Sequence, residues 1–237
     1  SSTDLESEAL RIATRHPADY LVPLTMSAEL AQRRPVELKK LLKWANHSQR
    51  LFPAGGQIHH LVARTLFARG LKAQAAGEYR RLIEKRPWQE LEIVEEVTKR
   101  FTDSRLLLRS IPPSERARGR LFETLFRQQK TKLILEIADE ILRWTPNHFR
   151  THVYRSRVLM SLQEPQKLEE EIRWFKEHGH RSLGLAIGAQ AALVNGKKER
   201  ARALLREGLK SGSKNPDFLR RAVRCYATLG DMDAARN

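Results

Sequence analysis

The chain has 237 residues, 41% of them hydrophobic and 30% charged, with a formal net charge of +16 and a pI near 10.4. A single cysteine, Cys225, excludes an intramolecular disulfide framework and any multi-cysteine metal site. No apolar run approaches the roughly 20 residues that cross a bilayer, and Ser1 to Glu8 is polar and acidic, so no membrane span is predicted in this chain.

Leu, Ala, Arg, Glu and Lys dominate, residues that lose little side-chain freedom in a helix, and β-branched runs are scarce. The predicted fold is therefore almost entirely helical. The positive charge is mostly arginine spread along the helices. It attracts nucleic acid, anionic glycan, phospholipid headgroups and acidic proteins alike over about 8 Å at physiological salt, and a solvated helix face gives the same count. One cysteine leaves the compartment open between cytoplasm and periplasm.

In chain order, the first break is Pro17, after ATRH; Pro53, after SQRLF, follows 36 residues on, and Pro87, after IEKR, 34 beyond that. Proline at such places stops one helix and starts the next. Within 56–87, small Ala63 and bulky Leu66 share one helix, Gly70 ends it, and Ala75, Tyr79 and Leu82 recur on the next. These residues predict two antiparallel helices that approach through a small side chain and close on a large one. The segment resembles the tetratricopeptide repeat (TPR) family, whose unit of about 34 residues is a helix–turn–helix. Ala63, Gly70, Ala75, Tyr79 and Pro87 occupy the family's small, glycine, alanine, aromatic and proline places, while His59 stands where tryptophan is usual.

Pro87 and Pro146 lie 59 residues apart, too far for one unit and too close for two. The stretch FTDSRLLLRSIPPSER predicts a shortened helix ending at Pro112 and Pro113, an irregular unit near 88–114, and a boundary between N-terminal repeats 1–112 and C-terminal repeats 113–237 of one continuous solenoid. Leu121, Leu125, Ile134, Ala138, Ile141 and Pro146 mark a unit over 115–146; 148–179 and 182–214 form two more, the latter with Gly196 and Ala201 in the expected places. Leu219, Ala222, Val223, Tyr226, Gly230 and Ala235 begin a last unit that breaks off at Asn237, which predicts a natural chain that continues. The resemblance implies an all-α fold, a right-handed α-solenoid of antiparallel helix pairs with about 13–15 helices.

No phosphate-cradling glycine loop, G-x-S-x-G turn or H-E-x-x-H helix occurs, and neither enzymatic activity nor a cofactor is predicted. His148 and His152 would share a helix face, with His59 and His60 and the pair His178 and His180 elsewhere. A metal site needs three or four ligands, so these read as exposed or helix-end histidines. Trp44, Trp144 and Trp174 lie on second helices or at their ends, in stripes such as LILEIADEILRW, and are expected to fill space between repeats; Trp88 is the fourth tryptophan.

In the resembled family the first helix of each pair lines a concave groove. Its facing places here include Gln57, His60, Arg64 and Phe67, then Arg116 and Phe126, then Arg220 and Arg224. Such a groove is basic with some apolar relief, and arginine forks suit carboxylates and phosphates. The clamp that holds a C-terminal carboxylate needs paired asparagines, and Leu61 stands where one belongs, so chaperone tails are not predicted guests. A further basic patch runs through Lys197, Lys198, Arg200, Arg202, Arg206, Lys210 and Lys214 to Arg220, Arg221 and Arg224, relieved only by Glu199, Glu207 and Asp217.

The leading functional expectation is a non-catalytic scaffold that binds an acidic protein or peptide through this groove, with an anionic glycan as another candidate. Arg- and Ala/Leu-rich repeats of the RHPADY kind are also similar to soluble tails of bacterial O-antigen ligase or polymerase proteins, which implies a periplasmic accessory domain of the cell envelope. The stretch Lys176 to Gly179 resembles a turn of RNA-reading pentatricopeptide repeats, but their repeat-opening signature is missing, and nucleic acid is not the predicted partner.

Overall fold

The computed structural model describes residues 2–33, 35–210 and 214–231. Ala235 lies outside the described residues. Among them the chain forms fourteen α-helices, one 3-10 turn and no strand. The helices are α1 (Ser2–Arg15), α2 (Leu21–Gln32), α3 (Leu38–Leu51), α4 (Gln57–Ala68), α5 (Lys72–Lys85), α6 (Glu90–Arg100) and α7 (Ser104–Ser110). They continue as α8 (Glu115–Arg127), α9 (Thr131–Trp144), α10 (Phe149–Ser161), α11 (Pro165–Glu177), α12 (Arg181–Val194), α13 (Lys198–Lys210) and α14 (Pro216–Leu229). This is the all-α architecture of a helical solenoid, with successive helices packed as hairpins.

The turn chemistry explains the regularity. The amide of the residue after each turn reaches back to the same place on the first helix: Leu71 to the Leu66 carbonyl at 2.9 Å, Lys130 to Leu125 at 3.0 Å, Glu164 to Leu159 at 3.0 Å, Lys197 to Ala192 at 2.8 Å and Asp231 to Tyr226 at 3.0 Å. This bond satisfies a carbonyl that the helix end leaves open and requires a left-handed residue in the turn. Gly70, Gly196 and Gly230 supply that residue, but Gln129 and Gln163 do so as well, each at φ 56°. Glutamine in the glycine place is the reason the middle units look degenerate in the sequence.

The chain forms two compact units, Ser1–Ile137 and Ala138–Asn237. Residues 113–127 belong with the first unit because α8 packs against α6. In that unit α2 packs on α3, α4 on α5, and α7 on both α5 and α6. Tyr79, Phe101, Leu107 and Leu121 are fully buried there. The short α7 begins where the Asp103 side chain accepts from the Leu106 amide at 2.9 Å, and ends at Ile111, held extended by the following proline. In the second unit α11 packs on α10 and α12, and α12 packs on α13 and α14. Its core joins Ala186, Ala189 and Ala201 to Leu205, Phe218 and Tyr226.

Two expectations about single residues are corrected. Trp144 does not fill space between repeats: it is 80% exposed, because at the last position of α9 its ring leans back and its Nε1 donates to Glu140, 3.4 Å away. His59 and His152 stand in the first turns of α4 and α10 but are buried, not exposed, since each pairs with a carboxylate on the partner helix of its hairpin.

Candidate functional site

In the first unit the sequence-predicted groove residues lie on α4 and α8, with α6 between them carrying glutamates toward both. His60 Nε2 donates to Glu96 Oε2 at 2.8 Å, and the Tyr79 hydroxyl and Arg100 Nε donate to Glu96 Oε1 at 2.8 and 2.9 Å. Burial raises the Glu96 pKa, but these donors outweigh it and hold the carboxyl at about 2. Phe67 packs edge-on against Phe101 and lies under the Arg100 guanidinium, 5.4 Å from its ring centre. Arg116 Nε sits 3.3 Å from Glu90 Oε2, and Arg127 donates to Glu95 at 3.0 Å. Gln57 and Arg64 are exposed. His60 and Arg116 thus meet carboxylates of the same unit, and Phe126 is half-buried.

The second unit is different. The helices α10, α12 and α14 border a concavity of roughly 540 Å³ whose polar lining is Arg157, Gln190, Asp217, Arg220, Arg221, Arg224 and Thr228. The Arg221 guanidinium is held by a neutral group, donating to Gln190 Oε1 at 2.6 Å. Burial lowers its pKa, and the charges of Arg157 and Arg224 push the same way against Asp217. Arg220, at the rim, donates to Asp217 at 2.7 Å. The Arg224 guanidinium makes no hydrogen bond or ion pair among the described residues. Arginine forks gathered around a partly desolvated guanidinium, with Asp217 beside them, have the chemistry to pair with an anion.

The basic patch of the sequence is dispersed. Arg202 is neutralised by Asp231, at 2.9 Å, and by Glu199. Lys197, Lys198, Arg200 and Arg206 are exposed on the α12–α13 turn and α13, whereas Arg221 joins the concavity of α10, α12 and α14. Residues adjacent in sequence part because each step along a helix turns by about 100° and alternate helices present different sides of the stack. Arg157 was not singled out from the sequence. Its signal is its place on α10, the first helix of the 148–179 unit.

The sequence also missed a repeated polar pair. His59 Nδ1 donates to Glu78 at 2.7 Å and His152 Nδ1 to Glu171 at 2.8 Å, each glutamate 19 residues after its histidine. His152 Nε2 lies 2.8 Å from the Pro146 carbonyl, Arg155 pairs with Glu171, and Trp174 stacks between His152 and His178 with ring centres 3.6 and 4.4 Å away. These groups tie the two helices of a hairpin together. Among the described residues no three His, Cys, Asp or Glu side chains converge as metal ligands, and no helix is long and apolar enough to cross a membrane.

No protein-family profile and no curated protein matches the chain. Solved structures similar to it include YrrB, described as a TPR protein with an unusual peptide-binding site, at 10% identity and a TM-score of 0.35 over 96% of this chain and 95% of that one. A tetratricopeptide repeat protein from Parabacteroides merdae aligns at 14% identity and a TM-score of 0.42 over 100% and 94% of the two chains. The Thermus thermophilus TPR protein TTC0263 aligns at 19% identity and a TM-score of 0.35 over 89% and 99%. At these overlaps the architecture rests on the helix pairs and turns described above.

Proposed function

We propose that the chain is an interaction scaffold rather than an enzyme, and that its second unit binds an acidic peptide in the arginine-lined concavity of α10, α12 and α14. The observation that carries this reading is the setting of Arg221, drawn out of water beside Arg157 and Arg224 and held by an amide instead of a carboxylate. A guanidinium so placed gains most from a partner that brings its own negative charge, and forked pairing favours carboxylates. A concavity of roughly 540 Å³ admits a few side chains of an extended segment. The first unit contributes less to an anionic guest, since His60 and Arg116 already face Glu96 and Glu90.

The test is fluorescence anisotropy of a labelled Asp/Glu-rich peptide against the full chain, beside an Arg220→Glu/Arg224→Glu variant, an Arg64→Glu control and a length-matched neutral peptide, across a salt series. The double variant is expected to lose roughly tenfold or more in affinity, about 1.4 kcal/mol per decade, with Arg64→Glu near wild type. Equal loss in both variants, or equal binding of heparin and homopolymer RNA with the same salt slope, overturns the reading in favour of a generic positive field.

A further inference from the structure

The second unit has another concavity, of roughly 520 Å³, between α11 and α13 with α12 as its floor. Its origin can be read from the repeat register. Counting back twelve and eight residues from the left-handed glycine that ends each first helix gives Ile58 and Val62 in α4 and Phe218 and Ala222 in α14. All four are buried core side chains. The same count in α12 gives Gly184 and Gly188.

The two glycines differ. A Cβ on Gly184 would lie 3.0 Å from the Ile172 carbonyl oxygen and 3.1 Å from Phe175 Cβ, so that glycine lets α11 close onto α12. A Cβ on Gly188 would meet only Leu204 at 3.5 Å and Ile172 at 3.7 Å. There the floor is bare, walled by two apolar side chains. Glycine within a helix is less stable than alanine, so the sequence keeps a trough at a cost in helix stability where α4 and α14 place core side chains.

The rim is cationic. Arg173 and Lys176 of α11 and Lys197 and Arg200 on the α13 side line the trough, and none of the four forms an ion pair among the described residues. The rim carboxylates, Glu164 and Glu169, lie toward the α11 N-terminus, and Glu164 faces Lys167 at 3.7 Å. Arg173 and Lys176 therefore mark the more positive end. From Gly184 to Asn195 the floor runs about 16 Å at the helical rise of 1.5 Å per residue.

We propose that this trough binds one free long-chain carboxylate, its acyl chain lying over Gly188 between Ile172 and Leu204 and its headgroup at Arg173 and Lys176. A trough with an apolar floor and a cationic rim favours a ligand that is apolar along its body and anionic at its tip. The site lies between second helices; it shares Met160 and Val194 with the α10, α12 and α14 concavity but none of that concavity's arginines.

The test is calorimetric titration of the full chain with dodecanoate below its micellar concentration, beside decanoate, octanoate and methyl dodecanoate. One equivalent of dodecanoate is expected to bind, with affinity falling about fourfold for each methylene removed and at least tenfold for the ester. Gly188→Leu, which fills the floor, is expected to abolish binding. Arg173→Glu/Lys176→Glu leaves the core untouched and is expected to weaken it tenfold or more, which keeps the test open if the leucine variant does not fold. Arg220→Glu/Arg224→Glu, which removes the peptide seat, is expected to bind dodecanoate as wild type does, so failure of either site is read separately. Equal affinity along the chain-length series, several equivalents bound, insensitivity to Arg173→Glu/Lys176→Glu, or capture by anionic phospholipid vesicles without binding of monomeric dodecanoate would each overturn the proposal.

Discussion

Two glycines within helices of the second unit are expected to respond oppositely to the same added methyl group. Replacing glycine by alanine inside a helix stabilises it by about 0.5–1 kcal/mol through backbone entropy alone. At Gly188 the new Cβ meets Leu204 and Ile172 at 3.5 and 3.7 Å, ordinary contact, so Gly188→Ala should raise stability by about that amount. At Gly208 it would lie 2.5 and 2.7 Å from Cε2 and Cζ of Phe218. That ring is fully buried and has nowhere to swing. Overpacking a close-packed core costs about 1–3 kcal/mol, so the net effect of Gly208→Ala is a loss of up to about 2.5 kcal/mol. The two variants should therefore differ by the overpacking cost, about 1–3 kcal/mol. Urea unfolding followed by circular dichroism, with hydrogen exchange of α12, α13 and α14 amides to localise the change, measures both. A Gly208→Ala midpoint at or above wild type would refute the packing of Phe218 against α13, and a destabilised Gly188→Ala would refute the open floor of α12.

Two further outcomes follow from titratable groups. Because the Glu96 carboxyl is held at about 2, below its ordinary 4.5, its contribution to stability is fully present above the ordinary value and is lost as pH falls from there through about 2; Glu96→Gln should flatten the acid limb of a stability profile over that interval. Burial pushes the Cys225 thiol up to about 11 against a smaller pull from Arg221, so it should resist alkylation at pH 8 in the folded chain and react once urea unfolds the second unit.

The parts of the fold legible in the sequence are those written in local chemistry. Pro53, Pro87 and Pro146 and the turn glycines Gly70 and Gly196 each act on their own neighbours, and they placed the hairpins and the short helix before Pro112. Gln129 and Gln163 take the left-handed turn without being glycine, which blurred the register of α8 and α10. The polar network around Glu96 joins residues on three helices, with His60 36 positions away, and no local pattern signals such a meeting. The pairs His59 with Glu78 and His152 with Glu171 did leave a trace, one spacing occurring twice at the same place in two units. The candidate site was half legible: Arg220, Arg221 and Arg224 stand on one helix, but Arg157 and Gln190 join them only once the helices are stacked.

The crowding of Arg157, Arg221 and Arg224 has a consequence for the fold that carries them. Asp217 attracts the Arg221 guanidinium while Arg157 and Arg224 repel it, and the like-charge part of that balance works against the unit that gathers it. The repulsion reaches about 30 Å in 0.01 M salt and about 8 Å at physiological ionic strength, which makes the second unit weakest in dilute buffer. Carboxylates seated there would remove the repulsion as they bind, and mass action would return that relief as resistance to melting. The guest then acts as a structural part of its host, and the unit should be hardest to unfold when it is in use.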